Sequence, residues 1–199
     1  VHEVLPGHYL IVDRHGMRQH PYWRLVSRPH EDSWEVTVQR VQHLLGDAAE
    51  RQLVSDVPIS TLLSGGLDSS AITAFAAHAV AKKGAGPLRT YSVDYIGNDQ
   101  YFRPNDFQPE TDTPYIHLVS DYFGTDHRTV RLDINDLAQA LEPAVIARDL
   151  PGMADIDSSL YLFCREIKRE TTVSLSGEGA DEVFCGYPWF FRQDALSAD

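Results

Sequence analysis

ISTLLSGGLDSS, residues 59–70, joins a short apolar stretch to a glycine pair and then to the start of an Ala-rich run. The apolar stretch 59–63 predicts a strand, and the Ala-rich run 69–83 predicts a helix. Between them, glycine lets backbone N–H groups approach an anion closely, and the helix N-terminus adds partial positive charge. The residues that we expect to hold phosphate are Ser64, Gly65, Gly66, Ser69 and Ser70. This stretch therefore predicts a phosphate-binding loop at a strand-to-helix turn.

Asp68 is the one acid in this loop, and it predicts a bound cation. Its carboxylate would repel a polyphosphate unless a divalent ion lay between them, so Asp68 indicates Mg²⁺. No Lys follows the glycines, which excludes the G-x-x-x-x-G-K-S/T phosphate loop. A bare Ser-Gly-Gly triplet is also common in ordinary turns without a ligand. The strand before it and the helix after it favour a nucleotide site.

Composition and charge limit the class of protein. With 199 residues, 43% of them apolar, the chain can bury a core and is expected to hold one main domain with an appendage. The net charge of −12 comes from 17 basic and 29 acidic side chains, and the longest basic run is Lys82-Lys83. These features argue against a nucleic-acid surface. The two cysteines, Cys164 and Cys185, form no C-x-x-C pair, so we expect no disulfide framework, no structural zinc and a reducing cytoplasm.

We expect neither a signal peptide nor a membrane span. The longest apolar stretch, residues 71–81, is interrupted by Thr73 and His78 and is too short to cross a bilayer. The sequence begins with Val1 rather than Met, and it ends in a polar run at Asp199. We therefore expect a soluble piece of a longer polypeptide.

The rest of the chain alternates predicted strands and helices. Residues 1–25 predict a hairpin, and Asp32 or Ser33 is expected to cap the helix that follows. Further strands are expected at 88–95, 127–132 and 172–175, and further helices at 113–123, 135–148 and 157–169. We expect Pro143 to disturb its helix and Asp157 to cap the last one. This order predicts an α/β fold with a doubly wound parallel sheet, whose ligands bind at the carboxyl ends of the strands.

A second glycine-bearing loop follows the last predicted strand. SGEGADE, residues 176–182, repeats the small residues and the acids of the first loop. Three carboxylates so close together need solvent or a metal to offset their repulsion, and a solvated acidic turn is the alternative if this loop acts alone. If both loops end neighbouring strands, Asp68 and Asp181 can hold one Mg²⁺ on a diphosphate. We then expect their carboxylates to lie about 4–8 Å apart.

Residues 63–70 and 176–187 resemble the two signature loops of the synthetase domain of glutamine-dependent asparagine synthetases, which are PP-loop ATP pyrophosphatases. Further segments similar to the family are 91–95, 112–127 and 155–159. Residues 1–25 resemble the last strands of the N-terminal glutaminase (Ntn-type) domain, and residues 26–199 resemble the N-terminal part of the synthetase domain. The resemblance implies an adenine nucleotide alpha hydrolase-like fold behind a hairpin left from the glutaminase domain.

The resemblance also implies an ATP-dependent ligase of asparagine biosynthesis. ATP would adenylate the side-chain carboxylate of aspartate with release of pyrophosphate, and ammonia from glutamine would attack the β-aspartyl-AMP. The implied cofactors are ATP and Mg²⁺, and the implied partners are small-molecule substrates in the cytoplasm, with a homodimer left open. The family's glutaminase cysteine and its catalytic lysine fall outside these 199 residues. We therefore expect this chain alone to hydrolyse no glutamine and to make no asparagine.

The family's functional roles carry over to matching positions. Glu178 is the implied catalytic acid for forming the acyl-adenylate, and Leu63 and Val93 are implied to contact adenosine, with ordinary strand core as their alternative. The implied pyrophosphate and nucleotide contacts are Ser64, Gly65, Gly66, Asp68, Ser69, Ser70, Ser176 and Gly177. Asp68 and Asp181 are the implied metal ligands.

Several other side chains have structural interpretations. Asp94 can reach a ribose hydroxyl or act as a cap, and Cys185 is expected to be a small buried side chain. The residues expected on the buried face of helix 157–169 are Leu160, Phe163, Cys164 and Ile167.

Two other functions stay open. Another acyl-adenylating amide former, such as a β-lactam synthetase or a lasso-peptide cyclase, resembles asparagine synthetases in both loops. A catalytically silent module would bind nucleotide without transferring any group. Pyrophosphate exchange by the full-length protein would separate these functions.

Overall fold

The computed structural model divides into two compact units, residues 1–39 and 40–199. It describes residues 2–104, 110–193 and 197. The first unit holds a hairpin of two antiparallel strands, β1 at His8–Asp13 and β2 at Gly16–Pro21. The hairpin predicted within residues 1–25 is therefore confirmed. Its assignment to a glutaminase domain stays a prediction.

Strands and helices alternate through the second unit, and the division between the units falls within α1, Trp34–Gln52. The strands are β3 at Ile59–Leu62, β4 at Arg89–Tyr95, β5 at Asp126–Leu132 and β6 at Val173–Leu175. The helices are α2 at Leu67–Lys82, α3 at Asn98–Tyr101, α4 at Thr113–Phe123, α5 at Ile134–Arg148, α6 at Ala154–Ile167 and α7 at Ala180–Phe184, with a 3₁₀ turn at Pro188–Phe190. No helix in the described part of the chain has the length and apolar character that crossing a membrane requires.

The four strands of the second unit form one parallel sheet in the order β5-β4-β3-β6. The two inner strands are β4 and β3, and in β3 Thr61 pairs with Thr90 of β4 on one side and with Leu175 of β6 on the other. Because all four strands run the same way, their carboxyl ends share one edge of the sheet. The loops after β3 and β6 therefore leave adjacent strands.

Helices cover both faces of this sheet. Side chains alternate along β4, so that Thr90 lies near Thr125, just after α4, while Tyr91 packs with Phe163 and Ile167 of α6. The helices α4 and α6 therefore flank opposite faces of the sheet. This arrangement confirms the predicted doubly wound α/β fold.

The start of α6 differs from its prediction. The helix begins at Ala154 with Met153 as its N-cap, so the prediction that Asp157 caps it is wrong. Asp157 lies in the first turn, with its side chain 11% exposed, and its Oδ1 accepts a hydrogen bond from Arg148 Nη1 at 2.5 Å. Asp157 thus pairs with a cation across the loop between two helices instead of with a backbone N–H group.

The buried face of α6 is also shifted. Leu162, Phe163 and Ile167 are buried, whereas Leu160 is 51% exposed and Cys164 is exposed. The prediction is confirmed for Phe163 and Ile167 and wrong for Leu160 and Cys164. The reason is that the helix packs in two directions, with one cluster against the sheet and a second one against α5.

The helix α5 runs from Ile134 to Arg148 and does not end at Pro143, which lies inside it. Proline removes one backbone donor from a helix interior. The neighbouring Ala140 and Ala144 are buried, and α5 packs against α6 along its length. Tertiary packing of this kind stabilises a helix beyond what its local propensity supports.

Candidate active site

Loop 1, residues 63–70, leaves β3 and enters α2. Gly65 has a φ of +85°, and a Cβ at this position would lie 2.8 Å from the backbone oxygen of Asp112 and 3.2 Å from Cβ of Tyr115. Only glycine fits this turn without strain. Gly66 is the N-cap of α2 and makes no side-chain cap. The first N–H groups of α2 therefore have no partner within the helix and are available to an anion.

Serine hydroxyls hold loop 1 closed. The backbone N–H of Ser64 donates to Ser69 Oγ at 3.1 Å, and the two serine Oγ atoms lie 2.9 Å apart. Ser69 Oγ also lies 3.1 Å from the Gly66 oxygen, to which Ser70 Oγ donates at 2.7 Å. Ser69 is buried. The hydroxyls of Ser69 and Ser70 thus fix the shape of the loop.

Loop 2, residues 176–187, contacts loop 1 directly. Because β6 pairs with β3, the two loops start side by side. A Cβ at Gly177 would lie 3.0 Å from two backbone atoms in the first turn of α2, the carbonyl carbon of Asp68 and the nitrogen of Ser69. The backbones of the two loops therefore pack together with no room for a side chain. The convergence predicted from the sequence is present.

Glycines also set the positions of the acids in loop 2. Gly179, with a φ of +88°, is the N-cap of α7, and the N–H of Glu178 donates to Ser176 Oγ at 3.1 Å. A Cβ at Gly186 would collide with the carboxylate of Asp181, and the N–H of Gly186 donates to the Asp181 backbone oxygen at 3.0 Å. The glycine at position 186 therefore leaves the space that the Asp181 carboxylate occupies.

Tyr187 ends loop 2 beside the acids. Its hydroxyl donates to Glu182 Oε1 at 2.8 Å. This hydrogen bond raises the pKa of Tyr187 to about 12, and burial and the negative charges of Glu182, Asp181 and Glu178 act in the same direction. Tyr187 therefore stays protonated and remains a hydrogen-bond donor at neutral pH.

Cys185 is exposed, so the prediction that its side chain is buried is wrong. It is the C-cap of α7 and has a φ of +58°, in the left-handed region. None of the five residues of α7 is buried. This short helix offers no apolar core in which a thiol at its end can be buried.

A cavity of about 530 Å³ opens at the carboxyl edge of the sheet, where the two loops meet. The predicted site residues that line it are Leu63, Ser64, Gly66, Asp68, Ser69, Val93, Ser176, Gly177, Glu178 and Asp181. The other two predicted residues, Gly65 and Ser70, do not line it. Gly65 packs toward α4, and the hydroxyl of Ser70 is bonded within loop 1.

The structure adds a polar wall to this cavity, formed by the ends of β4 and β5, by α3 and by the start of α4. Its residues are Ser92, Asp94, Asn98, Asp112, Thr113, His117, Thr129 and Arg131. Asp94 accepts hydrogen bonds from the N–H of Tyr95 at 2.8 Å and from Nδ2 of Asn98 at 3.0 Å. The N-cap of α3 is Gly97, without a side-chain cap, so the interpretation of Asp94 as a cap is wrong. Sequence reasoning missed most of this wall. The available signal was polar residues at alternate positions near the ends of two strands.

The cavity is strongly acidic. Among the described residues that line it, five carry carboxylates, and Arg131 is the only Lys or Arg. The carboxylates are those of Asp68, Asp94, Asp112, Glu178 and Asp181. An anionic ligand in such a cavity needs added positive charge.

The donor set fits Mg²⁺ bound together with a phosphate ligand. Asp68 and Asp181 line the same cavity and supply the hard oxygen atoms that Mg²⁺ prefers. Among the residues that the structure describes, no group of three or more His, Cys, Asp and Glu side chains is placed to hold a metal. An ion here would therefore take its remaining ligands from phosphate and water, which is common for Mg²⁺.

Comparison with known proteins matches residues 40–199 to the asparagine synthase family model. Asparagine synthetase (glutamine-hydrolyzing) 3 of Bacillus subtilis is 52% identical over 197 residues, which cover 99% of this chain and 32% of that protein. Asparagine synthetase (glutamine-hydrolyzing) 1 of Arabidopsis thaliana is 30% identical over 94% of this chain and 31% of its own length.

A relative with another name also matches. Amidase chyE of Penicillium rubens is 32% identical over 218 residues, which cover 99% of this chain and 30% of that protein. The chain thus spans about a third of the length of the curated relatives it matches.

Proposed function

Because this chain belongs to the asparagine synthase family, we propose that it forms the nucleotide-binding part of an ATP-dependent amide ligase. The resemblance predicted from the two loops is confirmed at the level of the family. In the proposed reaction, a side-chain carboxylate oxygen of aspartate attacks the α-phosphorus of ATP, and the bond to diphosphate breaks. Ammonia, supplied by glutamine hydrolysis elsewhere in the longer protein, then attacks the acyl carbon, and AMP leaves as asparagine forms.

The observation that carries this proposal is the packing of Gly177 against the first turn of α2. It joins two donor-rich loops at one cavity, with the carboxylates of Asp68 and Asp181 in its lining. Adenylation by ATP needs in-line positioning and stabilisation of the departing diphosphate charge more than it needs a base. Two converging loops at a helix N-terminus suit that requirement.

In loop 1, the residues proposed to bind diphosphate act in two ways. Ser64, Gly66 and Ser69 line the cavity, and Ser64 and Gly66 would contact the phosphate. Gly65, Ser69 and Ser70 would hold the loop in shape. A fixed array of donors loses little entropy when an anion binds. Loop 1 is therefore proposed as the preorganised part of the phosphate site.

The adenosine would contact Leu63 and Val93 at the ends of β3 and β4. Leu63 is fully buried, and its N–H donates to the Tyr91 oxygen at 2.8 Å. It would therefore form a rigid part of the surface on which the adenosine lies. Val93 is 37% exposed and offers apolar surface to the cavity. The nucleoside would thus lie on the β4 side of loop 1.

Ser176, Gly177 and Glu178 would bind the nucleotide and the reacting carboxylate from loop 2. The backbone of Glu178 is fixed by Ser176, while its carboxylate is exposed at the cavity. We assign Glu178 to formation of the acyl-adenylate. Asp68 and Asp181 would hold Mg²⁺, which when bound supplies positive charge that offsets the charge of the diphosphate.

The test is ATP–pyrophosphate exchange by the intact protein, with aspartate compared with a panel of other carboxylic and amino acids. Exchange that depends on aspartate and Mg²⁺ is expected, with a loss of roughly 100-fold or more in Glu178→Gln. The absence of exchange with every acid, while Mg²⁺-ATP still binds, would support a silent nucleotide-binding module instead.

A second amide-forming function is favoured by one observation, the 32% identity to amidase chyE over 99% of this chain. An acyl-adenylating enzyme with another carboxylate substrate would use the same loops and the same cavity. Exchange that depends on a different acid and not on aspartate would identify that function.

A further inference from the structure

A hydrogen-bonded cluster lies behind the polar wall of the cavity, on the face of the sheet that α4 covers. In the register of β4 and β5, Thr90 pairs with His127 and Ser92 pairs with Thr129. Thr90 and Ser92 are buried, while Ser92 and Thr129 line the cavity. His127 lies one layer deeper and is half-buried. It therefore reaches the cavity only through its neighbours.

The hydrogen bonds of this cluster have a defined direction. Ser92 Oγ donates its single hydrogen to Thr129 Oγ1 at 3.1 Å. His127 Nε2 lies 3.1 Å from the same Ser92 Oγ, so the ring nitrogen must be the donor in that contact. In a neutral ring, Nδ1 is then the acceptor, and Thr90 Oγ1, 2.9 Å away, donates to it.

This direction determines what Thr129 presents to the cavity. Its oxygen accepts from Ser92 and lies 3.3 Å from Nε2 of His127, which also carries a hydrogen. Neither neighbour needs the hydroxyl hydrogen of Thr129. That hydrogen is therefore available to an acceptor in the cavity. β5 lies beyond β4, on the side of β3 opposite to β6, so this donor serves the nucleoside side of the site.

The inference rests on the proposed function: we propose that His127 is a positioning residue, which fixes the hydroxyl of Thr129 as a donor to bound ATP. The ring does so by donating through Nε2 and accepting through Nδ1, so that one tautomer orients both hydroxyls of the wall. His127 thus acts through Ser92 and Thr129 without touching the ligand.

Burial and the neighbouring His117 favour the neutral ring that this arrangement requires. Burial lowers the pKa of His127, and His117 of α4, whose ring centroid lies 6.4 Å away, acts in the same direction. Asp126, next to it on β5, acts in the opposite direction with a smaller effect. At neutral pH the ring therefore carries one hydrogen and has one donor and one acceptor.

Two substitutions of His127 distinguish the roles of its two ring nitrogens. The amide of Gln reaches about as far as Nε2, whereas the amide of Asn reaches about as far as Nδ1. In the intact protein, we expect His127→Asn to weaken Mg²⁺-ATP binding about tenfold, and His127→Gln to stay within about twofold of the wild type. Thr129→Val should match His127→Asn, and the double variant should be no weaker than either single variant. Isothermal titration calorimetry measures these dissociation constants.

Thr171→Val is the matched control. It removes another buried hydroxyl, which lies 3.1 Å from Ser60 Oγ and does not line the cavity. It should lower the melting temperature without changing the ATP dissociation constant. Equal loss of affinity in His127→Asn and His127→Gln would overturn the inference, as would losses that multiply in the double variant. Lower melting temperatures with unchanged affinity would show a structural role only.

The ¹⁵N chemical shifts of the His127 ring separate failure of this inference from failure of the proposed function. We expect the Nε2–H tautomer in the free protein and its loss in Ser92→Ala. The Nδ1–H tautomer would overturn the inference while leaving the proposed function intact. The expected tautomer in a protein that does not bind Mg²⁺-ATP would contradict the proposed function, and with it the role of Thr129 as a ligand donor.

Discussion

Loop 1 and loop 2 reach the same cavity but are held in different ways. Loop 1 is closed by serine hydroxyls, and its residues lead into α2, a helix of 16 residues that includes five buried ones. Loop 2 leads into α7, a helix of five residues with none buried, between left-handed positions at Gly179 and Cys185. The first loop is therefore fixed by its own contacts, while the second depends on its packing against the first.

This difference indicates that the two loops have different roles in ligand binding. A rigid phosphate site keeps its donors in place at little entropic cost, and a loop with few buried contacts is the part that adjusts when a ligand binds. The contact at Gly177 links the two loops.

The largest effect is expected for Gly177→Ala. The added Cβ would lie 3.0 Å from backbone atoms of Asp68 and Ser69, so the two loops must separate by a few tenths of an ångström or more. Because misplaced reacting groups are costly, we expect ATP–pyrophosphate exchange in the intact protein to fall roughly 100-fold. The matched control is Gly46→Ala, whose Cβ meets only ring atoms of Phe75 at 3.4 Å. Equal exchange rates in the two variants would contradict the convergence mechanism.

Next in size is the loss of stability expected for Gly65→Ala. This change combines a φ of +85° with a Cβ 2.8 Å from the Asp112 backbone oxygen, whereas Gly84→Ala has a φ of +66° and open space around it. Backbone strain alone costs about 1–2 kcal/mol, and steric overlap adds about 1–3 kcal/mol. Denaturant unfolding should therefore show a larger decrease in the free energy of unfolding for Gly65→Ala than for Gly84→Ala. A similar decrease in both would mean that loop 1 shifts easily.

A smaller difference in the free energy of unfolding is expected between variants of Ser69 and Ser70 in loop 1. Ser69→Ala removes a buried hydroxyl that accepts the N–H of Ser64, so we expect a decrease of about 1–2 kcal/mol in the free energy of unfolding. Ser70→Ala removes only a hydrogen bond to the Gly66 oxygen one turn back, and such bonds contribute little to a helix. We expect a change of less than about 0.5 kcal/mol for Ser70→Ala, measured by the same unfolding experiment. The reverse order would show that Ser69 is not part of the closed loop.

The sequence predicted the two loops better than the surface between them. Glycine, serine and acid at strand ends are local signals, and they predicted both loops. Ten of the twelve predicted site residues line the cavity, and those implied only by the family resemblance include Leu63, Val93 and Glu178. Thr129 and Arg131 instead lie on a strand that reaches the cavity only because β5 is next to β4. Strand order is a long-range property, and local patterns do not encode it.

Helix boundaries show the same limit. Asp157 has the residue type of an N-cap, yet in the structure it pairs with Arg148 across the loop before α6. Leu160 matched the helical spacing of an apolar face, but α5 and the sheet approach α6 from other directions. In both cases the position of the side chain depends on the residues that contact it in the folded protein, and local sequence patterns do not specify those contacts.

The smallest effect is expected at the acidic end of loop 2, where it is measured as the titration of Tyr187. The hydrogen bond to Glu182 raises the pKa of Tyr187 to about 12 from an ordinary value of 10.0. Because the folded value is the higher one, the stabilisation is fully present below pH 10 and is lost as the pH rises through 12. In an absorbance titration of the phenolates, a component near pH 12 should disappear in Tyr187→Phe and should titrate at lower pH in Glu182→Gln. An unchanged titration in Glu182→Gln would mean that loop 2 lacks this contact in solution and is even less fixed than its short helix indicates.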